Sequence, residues 1–190
     1  MEHQVINFDD YRGDKLKLAR MAVGLSCEEL ADKIGKTKQF VSKMEKGFKP
    51  TEQVLELIAN ALKIKPDFLY SERKYALESD VCHFRSKKSR TQTLTNSVLA
   101  RAEILNIIIS AIEEEIEFPD VSIPEFPGAE LKTFNDIERV AEECRRVWNL
   151  GLGPISSMAK LAESAGVIVA YVTGVDDKVD AFTVHNNRPV

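Results

Sequence analysis

The sequence has few cysteines and histidines, and this scarcity excludes several kinds of site. Its 190 residues include three cysteines and three histidines, all scattered, with no C-x-x-C pair. An odd, dispersed set of cysteines argues against a disulfide framework and favours a reducing compartment. Cys82 and His83 are adjacent, but no second ligand pair stands at a usual spacing for a metal. We therefore expect no metal and no cofactor.

Long hydrophobic runs and a leader sequence are also missing. No apolar stretch reaches the roughly 18 residues of a membrane span. The most apolar run, 107–109, is preceded by Arg101 and Glu103 and followed by the acidic run 113–115. The N-terminus, M-E-H-Q-V, lacks the basic start and apolar middle of a signal peptide. We expect a cytoplasmic protein that does not bind a membrane.

The chain as a whole lacks net positive charge, yet one segment gathers it. Twenty-six Lys and Arg stand against 30 Asp and Glu, a formal charge of −4. Between Lys33 and Lys49, however, six lysines face one acid, Glu45, so the local charge is 6 − 1 = +5. Such a patch favours binding to an anionic partner. If the partner is a polyanion such as DNA, the lysines bind with a salt-dependent affinity because they release counterions from the polyanion. The competing interpretation is a solvated helix face, which is what most charge runs are.

Capping residues and glycines divide the first seventy residues into five short helices. Ser26 and Glu29 have the spacing of a capping box, and Gly35 and Gly47 are typical helix stops. The first predicted helix contains Leu16 and Val23 and ends at Gly24, and the second starts at Ser26 and stops at Gly35. The third runs from Thr37 to Glu45 or Lys46. Thr51 caps the fourth, which contains Leu62, and Pro66 starts a short fifth helix with Phe68 and Leu69.

The second and third of these helices are joined by a very short turn. Ala31 is small where the two helices would cross, and Gly35 permits the unusual backbone angles of a turn. Val41 and Met44 are spaced to bury one side of the third helix. This layout predicts a helix-turn-helix whose second member enters the major groove of double-stranded DNA.

The exposed side of the third helix carries side chains suited to that role. Glutamine bonds the adenine edge bidentately, and lysine donates to guanine O6 and N7. The predicted base-reading residues are Lys38, Gln39, Ser42 and Lys43. The predicted phosphate contacts are Ser26, Lys36, Thr37, Lys46 and Lys49. Phe40 is left with two alternatives, contact with a thymine methyl group or packing on the neighbouring loop.

The segment C-E-E-L-A-D-K-I-G-K-T-K-Q-F-V-S-K-M-E-K-G resembles the helix-turn-helix of the XRE (phage Cro/C1-repressor) type. The resemblance covers about residues 11–70 and implies a sequence-specific transcriptional regulator that binds as a homodimer. It also implies a structural ion pair between Arg20 and Glu45. One position departs from the family, because Cys27 stands where a glutamine commonly bonds a phosphate.

The second half reads as a long helix followed by a mixed segment. The helix is predicted over 92–118, with the apolar stripe Leu94, Val98, Leu105, Ile108, Ile109, Ile112 and Ile116. The stripe has two interpretations, a dimer interface or packing against 134–172 of the same chain, and we favour the second. Residues 73–91 are basic and polar and are predicted as a linker or as a short strand at 81–84. The further predicted elements are helices over 134–148 and from Pro154 to Ser164, and strands over 167–172 and 180–184.

The segments H-F-R-S-K-K-S, R-V-W-N-L-G-L-G-P-I, G-V-I-V-A-Y-V and D-A-F-T-V resemble the front part of an ImmA/IrrE-type metallopeptidase-like domain fused to an XRE-type domain. This resemblance covers most of residues 81–190. The zinc-binding H-E-x-x-H of that family is absent from the given sequence. We therefore expect no enzyme in this chain. Two alternatives stay open: the front portion of a zinc peptidase whose catalytic segment lies beyond Val190, and an antitoxin-like interaction module.

The predicted fold class is mainly α. It has an N-terminal five-helix helix-turn-helix domain (1–72), a basic linker with a long helix and a Pro-rich loop (73–133), and a small incomplete α/β domain (134–190). The roles open to the C-terminal part are sensing a small-molecule or protein effector and holding a homodimer together.

Overall fold

The computed structural model describes residues 11–73, 76–77, 82–86, 91–126, 131–172, 179–184 and 189. Within these residues the chain is mainly helical, as predicted. The α-helices are α1 (Gly13–Ala22), α2 (Cys27–Lys33), α3 (Lys38–Glu45), α4 (Glu52–Leu62), α5 (Gln92–Glu113), α6 (Phe134–Val147) and α7 (Met158–Ser164). A 3-10 helix covers Pro66–Tyr70, and the strands are β1 (Cys82–Ser86) and β2 (Val179–Val184).

The chain divides into two compact units. The first unit comprises Met1–Glu115 and Val172–Val184, and the second comprises Ile116–Tyr171 and His185–Val190. The long helix α5 thus belongs with the five N-terminal helices, and β2 lies in the first unit because it pairs with β1.

The five N-terminal helices enclose one apolar core, and their ends follow the predicted signals. Ser26 Oγ accepts from the Glu29 amide at 3.1 Å, and the Ser26 amide donates to the Glu29 carboxylate at 2.7 Å, which confirms the capping box. Thr37 Oγ1 accepts from the Phe40 amide at 3.2 Å. Thr51 precedes α4 without a side-chain capping bond. The core side chains with no exposed surface are Leu16, Leu30, Val41, Met44, Ile58 and Leu69.

Helix α5 packs along α1, but the side that it buries differs from the predicted stripe. Val98 and Ile109 are buried as expected, whereas Ile108 and Ile112 are 49% and 38% exposed. The buried side instead includes Ala100, which packs with Leu18 and Ala22 of α1. Small residues allow two helices to approach closely, and Ala22 and Ala100 stand at this contact.

The other predicted stripe residues of α5 complete this correction. Leu94 and Leu105 are half-buried, and Ile116 lies beyond the helix and is 58% exposed. The helix ends at Glu113 and not at 118. A run of acids at a helix C-terminus opposes the helix dipole, which favours this earlier end.

A polar cluster lies between α1, α5 and the segment after the 3-10 helix. Glu103 is buried and accepts from Arg73 Nε and Nη2 at 2.5 and 2.6 Å. Lys15 is buried as well, with Nζ 4.0 Å from the centre of the Phe68 ring. Arg101 Nε donates to the Ala22 carbonyl at 2.7 Å. These polar bonds hold α5 to the helix-turn-helix domain in addition to the apolar contacts.

Helix α5 is also the one described helix that is long and apolar enough to cross a bilayer by length and composition. Its contacts with α1 and the buried Glu103 match the core helix of a folded domain, which passes the same test.

The sheet has two antiparallel strands, with Cys82 opposite Val184 and Phe84 opposite Phe182. Of the two alternatives for 73–91, the short strand is present as Cys82–Ser86, and the strand predicted at 180–184 is present as Val179–Val184. Residue 81 lies outside the described residues. The strand predicted at 167–172 is wrong, because these residues form no strand, and the Ile168 amide bonds the Pro189 carbonyl at 3.0 Å. A β-branched run becomes a strand only where a neighbouring strand satisfies its backbone groups.

The second unit has little interior. Of its described residues, only Ala165 and Gly166 are buried. Helix α6 starts with a capping box between Thr133 and Asp136. Helix α7 begins at Met158 and not at the predicted Pro154, because Ser157 Oγ caps it by accepting from the Lys160 amide at 3.3 Å.

Candidate nucleic-acid interface

Helices α2 and α3 form the predicted helix-turn-helix geometry. Gly35 has a φ of +63°, a left-handed conformation that favours glycine. The Lys36 amide bonds the Ala31 carbonyl at 2.9 Å and closes the turn. Val41 and Met44 have no exposed surface, so the inner side of α3 is fixed in the core. The opposite side of α3 therefore faces outward.

That outward side carries the predicted base-reading residues. Lys38, Gln39 and Lys43 are exposed, and Ser42 is half-buried. Lys38 Nζ lies 3.7 Å from a carboxylate oxygen of Glu28, and the two side chains are 62% and 70% exposed. An exposed pair of this kind contributes at most about 1 kcal/mol to stability. Lys38 can therefore exchange its contact with Glu28 for a contact with DNA at little cost.

The predicted phosphate contacts surround this face. Lys36, Thr37, Lys46 and Lys49 are exposed on the segments before and after α3. Lys49 Nζ lies 5.7 Å from the centre of the Tyr70 ring. An aromatic ring near the ammonium group attracts it through the ring quadrupole and so helps to orient the lysine side chain.

Phe40 packs on the loop after α3. Its ring is 5.9 Å from the Phe48 ring, centre to centre, at an interplanar angle of 72°. The Lys36 ammonium lies 6.0 Å from the Phe40 ring centre. Of the two alternatives from the sequence, the loop contact is therefore present in the structure. Phe48 was not predicted as part of this face, although it is 54% exposed.

The ion pair between Arg20 and Glu45 fixes the end of α3. Arg20 Nε and Nη2 donate to the Glu45 carboxylate at 2.5 and 3.2 Å, and each side chain is only 10% exposed. Arg20 Nη1 also donates to the Leu25 carbonyl at 2.6 Å. The pair therefore ties α3 to α1 and to the loop before α2.

The N-terminus of α2 is less suited to a phosphate than the sequence indicated. The carboxylate of Glu29 already accepts from the Ser26 amide, and Glu28 adds a second acid in the first turn. Cys27 Sγ is directed to the Glu45 carboxylate at 3.7 Å. Burial raises the pKa of the Cys27 thiol, and the Glu45 charge raises it further. The thiol thus stays protonated and donates within the protein.

Gly13 is a positioning residue that sequence reasoning missed. A Cβ atom built there would lie 2.7 Å from the Glu45 backbone carbonyl and would also overlap the Met44 carbonyl oxygen. Only glycine lets α1 approach the C-terminal end of α3 this closely. The motif R-G-D looks like a loop in the sequence, and nothing local reveals a contact with residues more than thirty positions away.

We expect Gly13→Ala to destabilise the protein by about 1–3 kcal/mol, because α3 must move to admit the methyl group. The same shift should weaken binding to DNA. Urea denaturation and a binding titration measure the two effects. Gly153→Ala is the matched control, since a Cβ there has nothing within 4 Å. Equal stability of both variants would contradict the close approach.

Among the described residues, no group of three or more His, Cys, Asp or Glu side chains is arranged to hold a metal ion.

Comparisons with known proteins identify the N-terminal domain. Residues 16–69 match the family model HTH_3, described as helix-turn-helix. No curated protein matches the sequence significantly. A chain from the solved SinR protein/SinI protein complex aligns with 70% of this chain and 97% of its own length, at 19% identity and a TM-score of 0.32. That TM-score is too low to support an inference.

Residues 16–69 therefore form a helix-turn-helix domain. A domain of this kind is typical of DNA-binding transcription regulators. The family match does not extend past residue 69, and the ImmA/IrrE resemblance of the second half stays a prediction.

Proposed function

We propose that this chain is a sequence-specific regulator of transcription that reads the major groove of double-stranded DNA with α3. The observation that carries the proposal is the polar edge of α3. Lys38, Gln39 and Lys43 face outward while Val41 and Met44 anchor the opposite side in the core. A rigid helix with exposed lysine and glutamine side chains has the donors that the major-groove code requires.

The surrounding charge supports the same proposal. Lys36, Lys46 and Lys49 are exposed around α3 and suit the phosphates on either side of the groove. The protein would act in the cytoplasm as a homodimer, because readers of this kind contact two half-sites about one DNA turn apart. The function requires binding only, and we propose no enzymatic activity for this chain. An effector that acts on the second unit is part of the proposal.

Substitutions on α3 test the base contacts. We expect Gln39→Ala and Lys43→Ala each to weaken binding to the preferred site by about 1–3 kcal/mol and to relax base choice there, because a bidentate or donor contact to a base edge is lost. Binding-site selection from a random DNA pool, followed by titration of the selected and scrambled duplexes, measures both effects. An equal loss on all sequences would show that these residues touch only phosphate.

Substitutions beside α3 test the phosphate contacts. We expect Lys46→Ala and Lys49→Ala to lower affinity about equally for all sequences and to reduce the slope of log affinity against log salt by about one each. Lys160→Ala removes the same charge from the second unit and serves as the control. A slope unchanged from the parent protein would remove these lysines from the interface.

A further inference from the structure

Helix α6 presents an apolar side that the described chain leaves uncovered. Phe134, Ile137 and Val147 are 85%, 51% and 50% exposed. No residue of this 14-residue helix is buried. An isolated helix of that length is marginal in water, and most helical stability comes from covering an amphipathic face. The face is therefore a candidate docking surface.

The spacing of the apolar residues suits another helix. Phe134, Ile137, Ala141, Cys144 and Trp148 follow one another at steps of three, four, three and four. The first three are exposed, whereas Cys144 and Trp148 are half-buried. Trp148 caps the helix, and its Nε1 donates to the Ser122 carbonyl at 3.1 Å. This is the repeat with which two helices pack side chains between one another. The helix is about 21 Å long, enough for two full repeats of seven residues.

The charges beside this apolar side indicate which helix fits. Asp136 pairs with Arg139, and Glu143 pairs with Arg146, all within α6. Glu138 and Arg145 lie seven residues apart on the other edge of the apolar side. Glu138 has no ion-pair partner among the described residues. Arg145 Nη1 donates to the carbonyls of Gly151 and Gly153 at 2.9 and 2.8 Å, and no carboxylate among the described residues forms an ion pair with it.

A second copy of α6 complements this edge. A two-fold axis perpendicular to the helix makes the pair antiparallel and brings like edges together. Glu138 of each copy then faces Arg145 of the other copy, so two opposite-charge pairs flank the apolar seam. A parallel pair would instead bring Glu138 beside the edge that carries Asp136 and Glu143.

We propose that α6 is the surface through which two copies of this chain associate, as an antiparallel helix pair. The inference rests on the proposed function in one respect, since a paired DNA site requires two α3 helices held by one dimer. The charge pattern of α6 carries the choice of a second copy as the occupant.

Charge reversal on the full chain tests the pairing. Alone, Glu138→Arg places arginine opposite arginine, and Arg145→Glu places glutamate opposite glutamate. Each variant should raise the dimer dissociation constant at least about tenfold, because like charges then face each other. Mixed in equal amounts, the two variants should form a heterodimer, because every pair is again of opposite charge.

Sedimentation at micromolar concentration measures the association, and distinct fluorescent labels on the two variants identify the heterodimer. Glu163→Arg on α7 makes the same charge change outside α6 and should leave the dimer intact. Circular dichroism checks that each variant stays folded. A monomeric parent protein, a dimer unaffected by Glu138→Arg, or a mixture without heterodimer would overturn the proposal.

These outcomes are separable from failure of the proposed function. A parent dimer that loses association on charge reversal but binds no DNA keeps the α6 interface and removes the regulator. A protein that binds selected DNA through Gln39 and Lys43 but dimerises independently of Glu138 keeps the regulator and removes the α6 interface.

Discussion

Replacing Glu103 with leucine is expected to lower the free energy of unfolding by about 3–5 kcal/mol, because it leaves a partly buried arginine without its carboxylate. Glu103 is 1% exposed and accepts two short bonds from Arg73, whose side chain is 24% exposed. It also accepts from the Leu77 amide at 3.4 Å, so one substitution removes partners from two segments. The urea midpoint measures the loss.

The double variant Glu103→Leu/Arg73→Leu should recover part of that loss, since both charges of the pair are then gone. Lys15 remains buried in both variants, so full recovery is not expected. Glu114→Gln, on an exposed position at the end of the same helix, should change stability by less than about 0.5 kcal/mol. A Glu103→Leu variant as stable as this control would show that the buried bonds contribute nothing.

Arg20→Met should cost about 3–5 kcal/mol for the same physical reason and should also weaken DNA binding. Glu45, whose side chain is only 10% exposed, would lose the cation that pairs with it. The bond from Arg20 to the Leu25 carbonyl would be lost as well. Glu45 is the last residue of α3. Loss of its bonds to Arg20 would make the position of the helix that carries Gln39 and Lys43 less fixed.

Arg12→Met is the matched control for this pair. Arg12 forms an ion pair with Asp14 in which the side chains are 39% and 36% exposed, and such pairs contribute at most about 1 kcal/mol. The double variant Arg20→Met/Glu45→Met should be more stable than Arg20→Met. If Arg12→Met and Arg20→Met lower the urea midpoint equally, the Arg20–Glu45 pair does not anchor α3.

The elements that the sequence predicted well are those with local causes. Ser26 with Glu29, and Thr37 with the Phe40 amide, set helix starts through bonds that span three residues. Gly35 sets the turn through its own backbone angle. The outward direction of Gln39 and Lys43 follows from the helical period once Val41 and Met44 are assigned to the core.

The predictions that failed depend on distant partners. Helix α5 is apolar on more than one side, so its sequence could not show that Ala100 would face α1 and leave Ile108 exposed. Residues 167–172 have strand composition, but no strand lies beside them in the described chain. Gly13 matters only because α3 returns to it after some thirty residues. The base and phosphate contacts themselves stay predictions.

The packing of α5 on α1 has a practical consequence for handling the DNA-reading domain separately. Leu18, Ala22 and Ala100 form one buried cluster, with Met21, Phe68 and Ile104 packed around it. A fragment that ends after the 3-10 helix would expose the α1 side of that cluster to solvent, and the exposed apolar surface would promote aggregation. A shorter version intended for spectroscopy or crystallisation should therefore extend through Glu113, so that α5 still covers the apolar side of α1.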